Sequence, residues 1–134
     1  MKFVVDTNIL FSFFWQSSIT KKFLSTSNFE LISPWTALEE LKKYSKEIIS
    51  KTEINEKEFK LELINLQKIV NFIDKSQYSP FLKEAEKISP DKADIDFIAL
   101  CLKFNCFLWS NDSILKNQNR IKVLSTEELI EILF

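Results

Sequence analysis

Strand-like and helix-like segments alternate along this sequence, and the alternation predicts an α/β fold. The expected architecture is a three-layer α/β/α sandwich around a mostly parallel sheet of four to five strands, with residues 1–134 forming a single domain. Two further observations support this. The Val4-Val5 pair is typical of a strand buried on both faces. Four acidic residues, Asp6, Glu40, Asp94 and Asp112, each sit at the edge of an apolar segment. In a parallel sheet the carboxyl ends of strands and the helix starts after them share one edge, so these acids should converge there.

The first strand is Lys2-Phe3-Val4-Val5, ended by Asp6. Asn8 to Trp15 is apolar all round and predicts a helix packed inside. A second helix runs from Ser18 to Leu24, with Ser17 or Ser18 as its cap. Phe29 to Ser33 is the second strand, closed by Pro34, a residue suited to beginning the next helix. Leu38, Leu41, Tyr44, Ile48 and Ile49 then recur at helical spacing to about residue 50. Asn55 and Glu58 form a capping pair ahead of the amphipathic run Phe59, Leu63, Leu66 and Ile69.

Val70 to Ile73 is the third strand. Tyr78 to Ile88 is a short helix with Pro80 in its first turn, and Ser89-Pro90-Asp91 opens the next, which runs to about Phe104. Phe107 to Ser110 and Ile121 to Leu124 complete the strands. Ser125 and Glu128 cap a final helix through Leu133. The helices between residues 36 and 70, with no strand between them, are the main elaboration.

Composition narrows the chemistry. Net charge is −1, so electrostatics alone do not announce a nucleic-acid binder. There is no histidine, which removes Ser-His-Asp hydrolysis, paired-histidine ribonuclease chemistry and imidazole-bound zinc. There is no glycine, which removes the phosphate-cradling loop, the dinucleotide fingerprint and the nucleophile elbow. Cys101 and Cys106 read as buried free thiols. No apolar run approaches a membrane span and the first residues lack a signal peptide's layout, so a cytoplasmic protein is expected.

Acid–base or metal work is thus left to carboxylates, lysines and water. Several carboxylates at one sheet edge suit a hard divalent ion, Mg²⁺ or Mn²⁺, which takes oxygen ligands. Such ions serve phosphodiester hydrolysis by activating water and neutralising the leaving oxygen.

Asp6-Thr7-Asn8 after the first strand, Glu40-Leu41 early in the helix after the second, Asp94-Ile95-Asp96-Phe97-Ile98-Ala99-Leu100 at a helix start, and Trp109-Ser110-Asn111-Asp112 after the fourth strand together resemble the PIN domain. The resemblance runs in order through the whole chain, and the helices between Glu40 and Val70 are similar to a prokaryotic, VapC-like branch. It implies a metal-dependent endoribonuclease hydrolysing RNA phosphodiester bonds. Asp6, Glu40, Asp94 and Asp112 would be the catalytic, metal-holding acids, with Thr7, Asn8, Asp91 and Ser110 supporting them. Many members are toxins of type II toxin–antitoxin pairs and dimerise, which implies RNA, an antitoxin and a second copy as partners. Glu39 competes with Glu40, which the Glu-Leu pattern favours; Asp91 and Asp96 compete with Asp94, which the spacing to Ala99 favours.

Each acid also has an ordinary explanation. Asp6, Asp91 and Asp112 suit helix caps, Asp94 would complement a helix dipole, and Glu39 or Glu40 would face Lys43 at the surface. The cluster argues otherwise, because like charges a few ångströms apart repel by roughly 1–4 kcal/mol per pair. Lys21, Lys22, Lys42, Lys43, Lys46, Lys116, Arg120 and Lys122 are candidate phosphate contacts or plain solvated residues. An aspartyl-phosphate enzyme ranks lower, since Asn8 stands where the haloacid-dehalogenase pattern wants an acid. The remaining alternative is a catalytically silent PIN-fold module used for binding and assembly.

Overall fold

The computed structural model describes residues 1–16, 18–26 and 28–133. Among them β1 (Lys2–Val5), β2 (Glu30–Pro34), β3 (Val70–Ile73), β4 (Phe107–Trp109) and β5 (Val123–Leu124) form one sheet in the order β3-β2-β1-β4-β5. Every pairing is parallel. The central strand β1 sets Val4 between Ile32 and Leu108, all three fully enclosed, as its apolar sequence requires.

The strand order locates the site. The chain steps outward from β1 to β2 and β3, then returns through residues 74–106 to lay β4 on the other side of β1. The direction of winding therefore reverses between β1 and β4. At such a reversal the connections diverge and leave a crevice at the carboxyl ends of the strands.

Helices flank the sheet. α1 (Thr7–Ser12) is shorter than the sequence suggests, and the chain continues in turns to residue 16. Phe13 and Phe14 are buried, whereas Trp15 is half exposed, so this aromatic run is only partly core. α2 (Ile19–Thr26) begins after Ser18, whose hydroxyl accepts the Lys21 N–H at 2.9 Å. Ser17, the other cap considered, lies outside the described residues.

The single helix expected to residue 50 is two, α3 (Trp35–Lys43) and α4 (Ser45–Thr52), with Tyr44 at φ −97°, ψ 22° between them. No proline or glycine marks this break. It is a tertiary bend that leaves Leu41 and Ile48 both buried while Tyr44 turns outward. α5 (Glu56–Ile69) starts at the capping box read from Asn55 and Glu58.

The helix expected over 78–88 is also divided. α6 (Lys75–Tyr78), capped by Asp74, passes through a 3₁₀ turn at Ser79–Phe81 into α7 (Leu82–Ile88). Pro80 has no N–H to donate to the Ser76 carbonyl, so the α-helical ladder cannot run through it; the Ser79 hydroxyl donates to that carbonyl instead at 3.4 Å. α8 (Ile95–Phe104) is preceded by a 3₁₀ turn at Lys92–Asp94, and a capping box from Ser125 and Glu128 opens α9 (Thr126–Leu133).

Cys101 is buried in α8, and Cys106 just beyond it is only half-buried, so one of the two free thiols differs from the expectation. Among the described residues no helix is long and apolar enough to cross a membrane.

Candidate metal centre

Asp6 directly follows β1, at the carboxyl edge that β1 shares with β4. Its N–H donates to the Trp109 carbonyl across the β1–β4 ladder at 3.0 Å, and its carbonyl accepts from Ile9 and Leu10 to start α1. The carboxylate is buried at 6% exposure, where it accepts the Thr7 N–H at 2.7 Å and the Ser110 hydroxyl at 2.6 Å. Burial pushes its pKa upward. The bonds from Ser110 and Thr7 pull against that, and the charge of Asp112 adds to the rise.

Ser110 is a buried relay between strands. Its hydroxyl donates to Asp6 and accepts the Asp112 N–H at 3.1 Å. Asp112 then caps the 3₁₀ turn at Ser113–Lys116 through the Ile114 N–H at 3.0 Å. Asn111, the remaining polar residue of that motif, accepts the Thr126 N–H at 2.8 Å and ties α9 to the end of β4. Ser33 was not singled out by sequence; it is fully buried and donates to the Val5 carbonyl at 2.9 Å, fixing β2 against the end of β1.

Asp94 stands at the start of α8, where its side chain makes no capping bond. Its pKa is pushed up to about 6, first by burial and then by the charges of Asp6, Asp91, Asp112 and Glu40. Glu40, on the exposed side of α3, is thus near enough to act on Asp94 together with the other three acids.

Asp91 and Asp96, the other acids considered for this position, each make hydrogen bonds of their own. Asp91 is exposed and caps the 3₁₀ turn through the Ala93 N–H at 3.0 Å. The Asp96 carboxylate accepts the Tyr78 hydroxyl at 2.6 Å and the Thr36 hydroxyl at 3.5 Å. Burial and that bond to Asp96 hold the Tyr78 phenol well above its usual pKa.

Capping and clustering thus coincide. Asp6, Asp91 and Asp112 all accept N–H groups at helix or turn starts, a task Asn or Ser performs without charge. The charge is left over. Among the described residues, none of the ion pairs includes Asp6, Glu40, Asp94 or Asp112. Lys21, Lys116 and Arg120 are taken up by Glu62, Glu128 and Glu84. Lys42 and Lys43 lie over the rings of Trp35 and Tyr44.

These donors fit a hard divalent cation. They are carboxylate oxygens, their charge lacks a partner, and the Thr7 hydroxyl beside Asp6 is buried with no hydrogen-bond partner among the described residues. The acids are close enough to raise the pKa of Asp94, yet among the described residues no three are already gathered around one point. Asn8 is exposed on α1 and lines a neighbouring cleft of about 350 Å³ with Phe11, Trp15, Tyr44 and Ile48.

Comparison with protein-family models matches residues 4–131 to the PIN domain. Among solved structures, a chain in the crystal structure of VapBC2 from Rickettsia felis bound to a DNA fragment from their promoter is similar over 93% of this chain and 98% of its own. The TM-score is 0.64 at 16% sequence identity. A search of curated proteins gives no match.

Proposed function

The chain belongs to the PIN domain family, and from that premise we propose that it is a divalent-metal-dependent endoribonuclease. One observation carries the reading: burial and then the charges of Asp6, Asp91, Asp112 and Glu40 raise Asp94 to about 6 beyond the carboxyl ends of β1 and β4, and none of the ion pairs described above includes these acids. An ordinary surface would disperse those charges or pair them.

In this reading Asp6, Glu40 and Asp94 hold Mg²⁺ or Mn²⁺, and Asp112 binds a second ion or orients water. When bound, the ion supplies Lewis acidity to the phosphodiester and to the attacking water. The protein's own part is orientation. Ser110 and the Thr7 N–H fix the Asp6 carboxylate in one rotamer, so that binding an ion costs little further ordering. The Thr7 hydroxyl has capacity to bond a ligand of the site, Asp91 adds negative potential, and Asn8 lies on the adjoining rim. Lys42 and Lys43 end α3, the helix that carries Glu40, and are the nearest candidates in sequence to meet RNA phosphates.

In this reading the chain is the toxin of a type II toxin–antitoxin pair acting in the cytoplasm, with a second copy as a further partner; the VapBC2 likeness supports the antitoxin partner. Half-exposed Trp15, Trp35 and Tyr44 are apolar surface available for such contacts.

Cleavage of a structured RNA substrate with Mn²⁺ or with chelator tests the reading. Wild type should cut only with metal, and Asp6→Asn should fold yet not cut. Metal-independent cutting, or full activity in Asp6→Asn, would refute it. No cutting and no thermal response to metal would leave the silent assembly module as the better account.

A further inference from the structure

Asp96 lies two residues beyond Asp94, in the first turn of α8. It accepts the hydroxyl of Tyr78, the fully enclosed last residue of α6, and the hydroxyl of Thr36, the second residue of α3. Thr36 is four residues before Glu40, one helical turn along the same side. A single carboxylate therefore joins α3, which carries Glu40, to the start of α8, which follows Asp94, and anchors both to α6.

We propose that Asp96 is a positioning residue for the metal centre: through Tyr78 and Thr36 it holds the start of α8 against α3, and so fixes the separation of Asp94 and Glu40. The inference rests on the metal-dependent reading above. Its physical ground is that the acids are near one another but not already arranged as a cage. The ion must then be met by rotating side chains, whose reach is set by where the two helices stand. A small displacement of one helix moves a carboxylate out of bonding range, because productive sites tolerate only about 0.5 Å.

The surroundings make this clamp stiff. Tyr78 keeps its proton and remains a donor, since burial disfavours its phenolate. Asp96 is half-buried, which strengthens its short bond to Tyr78 relative to one in water. Ser33, buried just before α3, secures the β2 end of that helix to β1. α3 is thus fixed at its root by Ser33 and braced one residue after its start by Asp96, one helical turn before Glu40.

The test uses hydroxyl deletions that change no charge and touch no proposed ligand. Tyr78→Phe and Thr36→Val would be compared with wild type by thermal melting against Mn²⁺ and by RNA cleavage over the same titration. The Mn²⁺ concentration for half-maximal stabilisation should rise about 10-fold in Tyr78→Phe, in the range seen when outer partners of metal ligands are removed. Thr36→Val, which loses the longer bond, should shift less.

KM for RNA should stay the same, while kcat at limiting Mn²⁺ falls and recovers at high Mn²⁺. Asp96→Ala combined with Tyr78→Phe should cost no more than Asp96→Ala alone, as expected for one coupled unit. Variants that melt lower in chelator but titrate Mn²⁺ as wild type does would reduce Asp96 to a plain structural tie and overturn the proposal. A wild type that ignores Mn²⁺ would instead overturn the metal reading itself, and the two failures are told apart in the first titration.

Discussion

Replacing Asp94 by Asn should make the metal-free protein more stable, in spite of removing a residue from the proposed site. The reasoning starts from its raised pKa, from 3.8 to about 6, caused by burial and by the charges of Asp6, Asp91, Asp112 and Glu40. A carboxyl raised in the folded state holds its proton more tightly there than in the unfolded chain. Stability is therefore highest below the unfolded value near 4, falls as pH rises through about 6, and stays low above it. Each pKa unit corresponds to about 1.4 kcal/mol, so two units give an upper bound near 3 kcal/mol. Asp94 is only half-buried, and solvent screening brings the expected cost to about 1 kcal/mol.

With an unfolding entropy of about 2 cal/mol/K per residue, 1 kcal/mol is worth about 4 °C in Tm for 134 residues. In chelator at pH 7.5, Asp94→Asn should melt about 4 °C above wild type, and the gap should narrow at pH 4.5, where the folded Asp94 carboxyl is protonated. Mn²⁺ at about 100 times its Kd should reverse the order, because it adds about 2.7 kcal/mol to wild type and little to the variant. Scanning calorimetry at the two pH values, with and without metal, reads all four cases. A variant that melts lower than wild type in chelator at pH 7.5 would refute the argument, since it would mean that the Asp94 charge is not under strain.

Other outcomes follow from single contacts. Ser110→Ala removes the hydroxyl that bonds Asp6 and leaves a buried oxygen without its donor, so the urea midpoint should fall by an amount equal to about 1–3 kcal/mol. The pKa of Asp6 should rise at the same time, which NMR titration of its carboxyl carbon would show. Glu53→Gly should raise stability by about 0.5–1 kcal/mol in urea titration. Glu53 closes α4 at φ 57°, in the left-handed region, where a side chain costs more than glycine's extra backbone freedom.

Much of the fold was legible because its signals are local. The capping box at Asn55 and Glu58 and the enclosed Val4-Val5 strand express preferences of a few neighbouring residues, and each stands where it was read. The bend at Tyr44 was not legible, because no residue there disfavours a helix; packing of Leu41 and Ile48 decides it. Pro80 did announce the division of the 78–88 segment, but its effect was read as a helix start when it is an interruption.

The strand order was not read either, since a crossover's sequence does not say on which side of β1 it will return. At the candidate site, sequence offered the acids and their edge but left Glu39 against Glu40 and Asp91 or Asp96 against Asp94, because neighbouring acids differ only in where the fold aims them. The Tyr78 and Thr36 hydroxyls that bond Asp96 could not be read in advance, since neither is near it in the chain.

The bond between Ser110 and Asp6 joins residues 104 positions apart. On the ribosome, at about 5–20 residues per second, Asp6 would wait roughly 5–20 s before Ser110 is even made. Until then β1 lacks its β4 neighbour and the carboxylate has no hydroxyl to orient it. In an unfinished or prematurely ended chain Asp6 would therefore lack its Ser110 partner, however well the first half had folded. For a protein whose proposed activity would damage the cell making it, assembly from the two distant ends of the chain is a built-in delay.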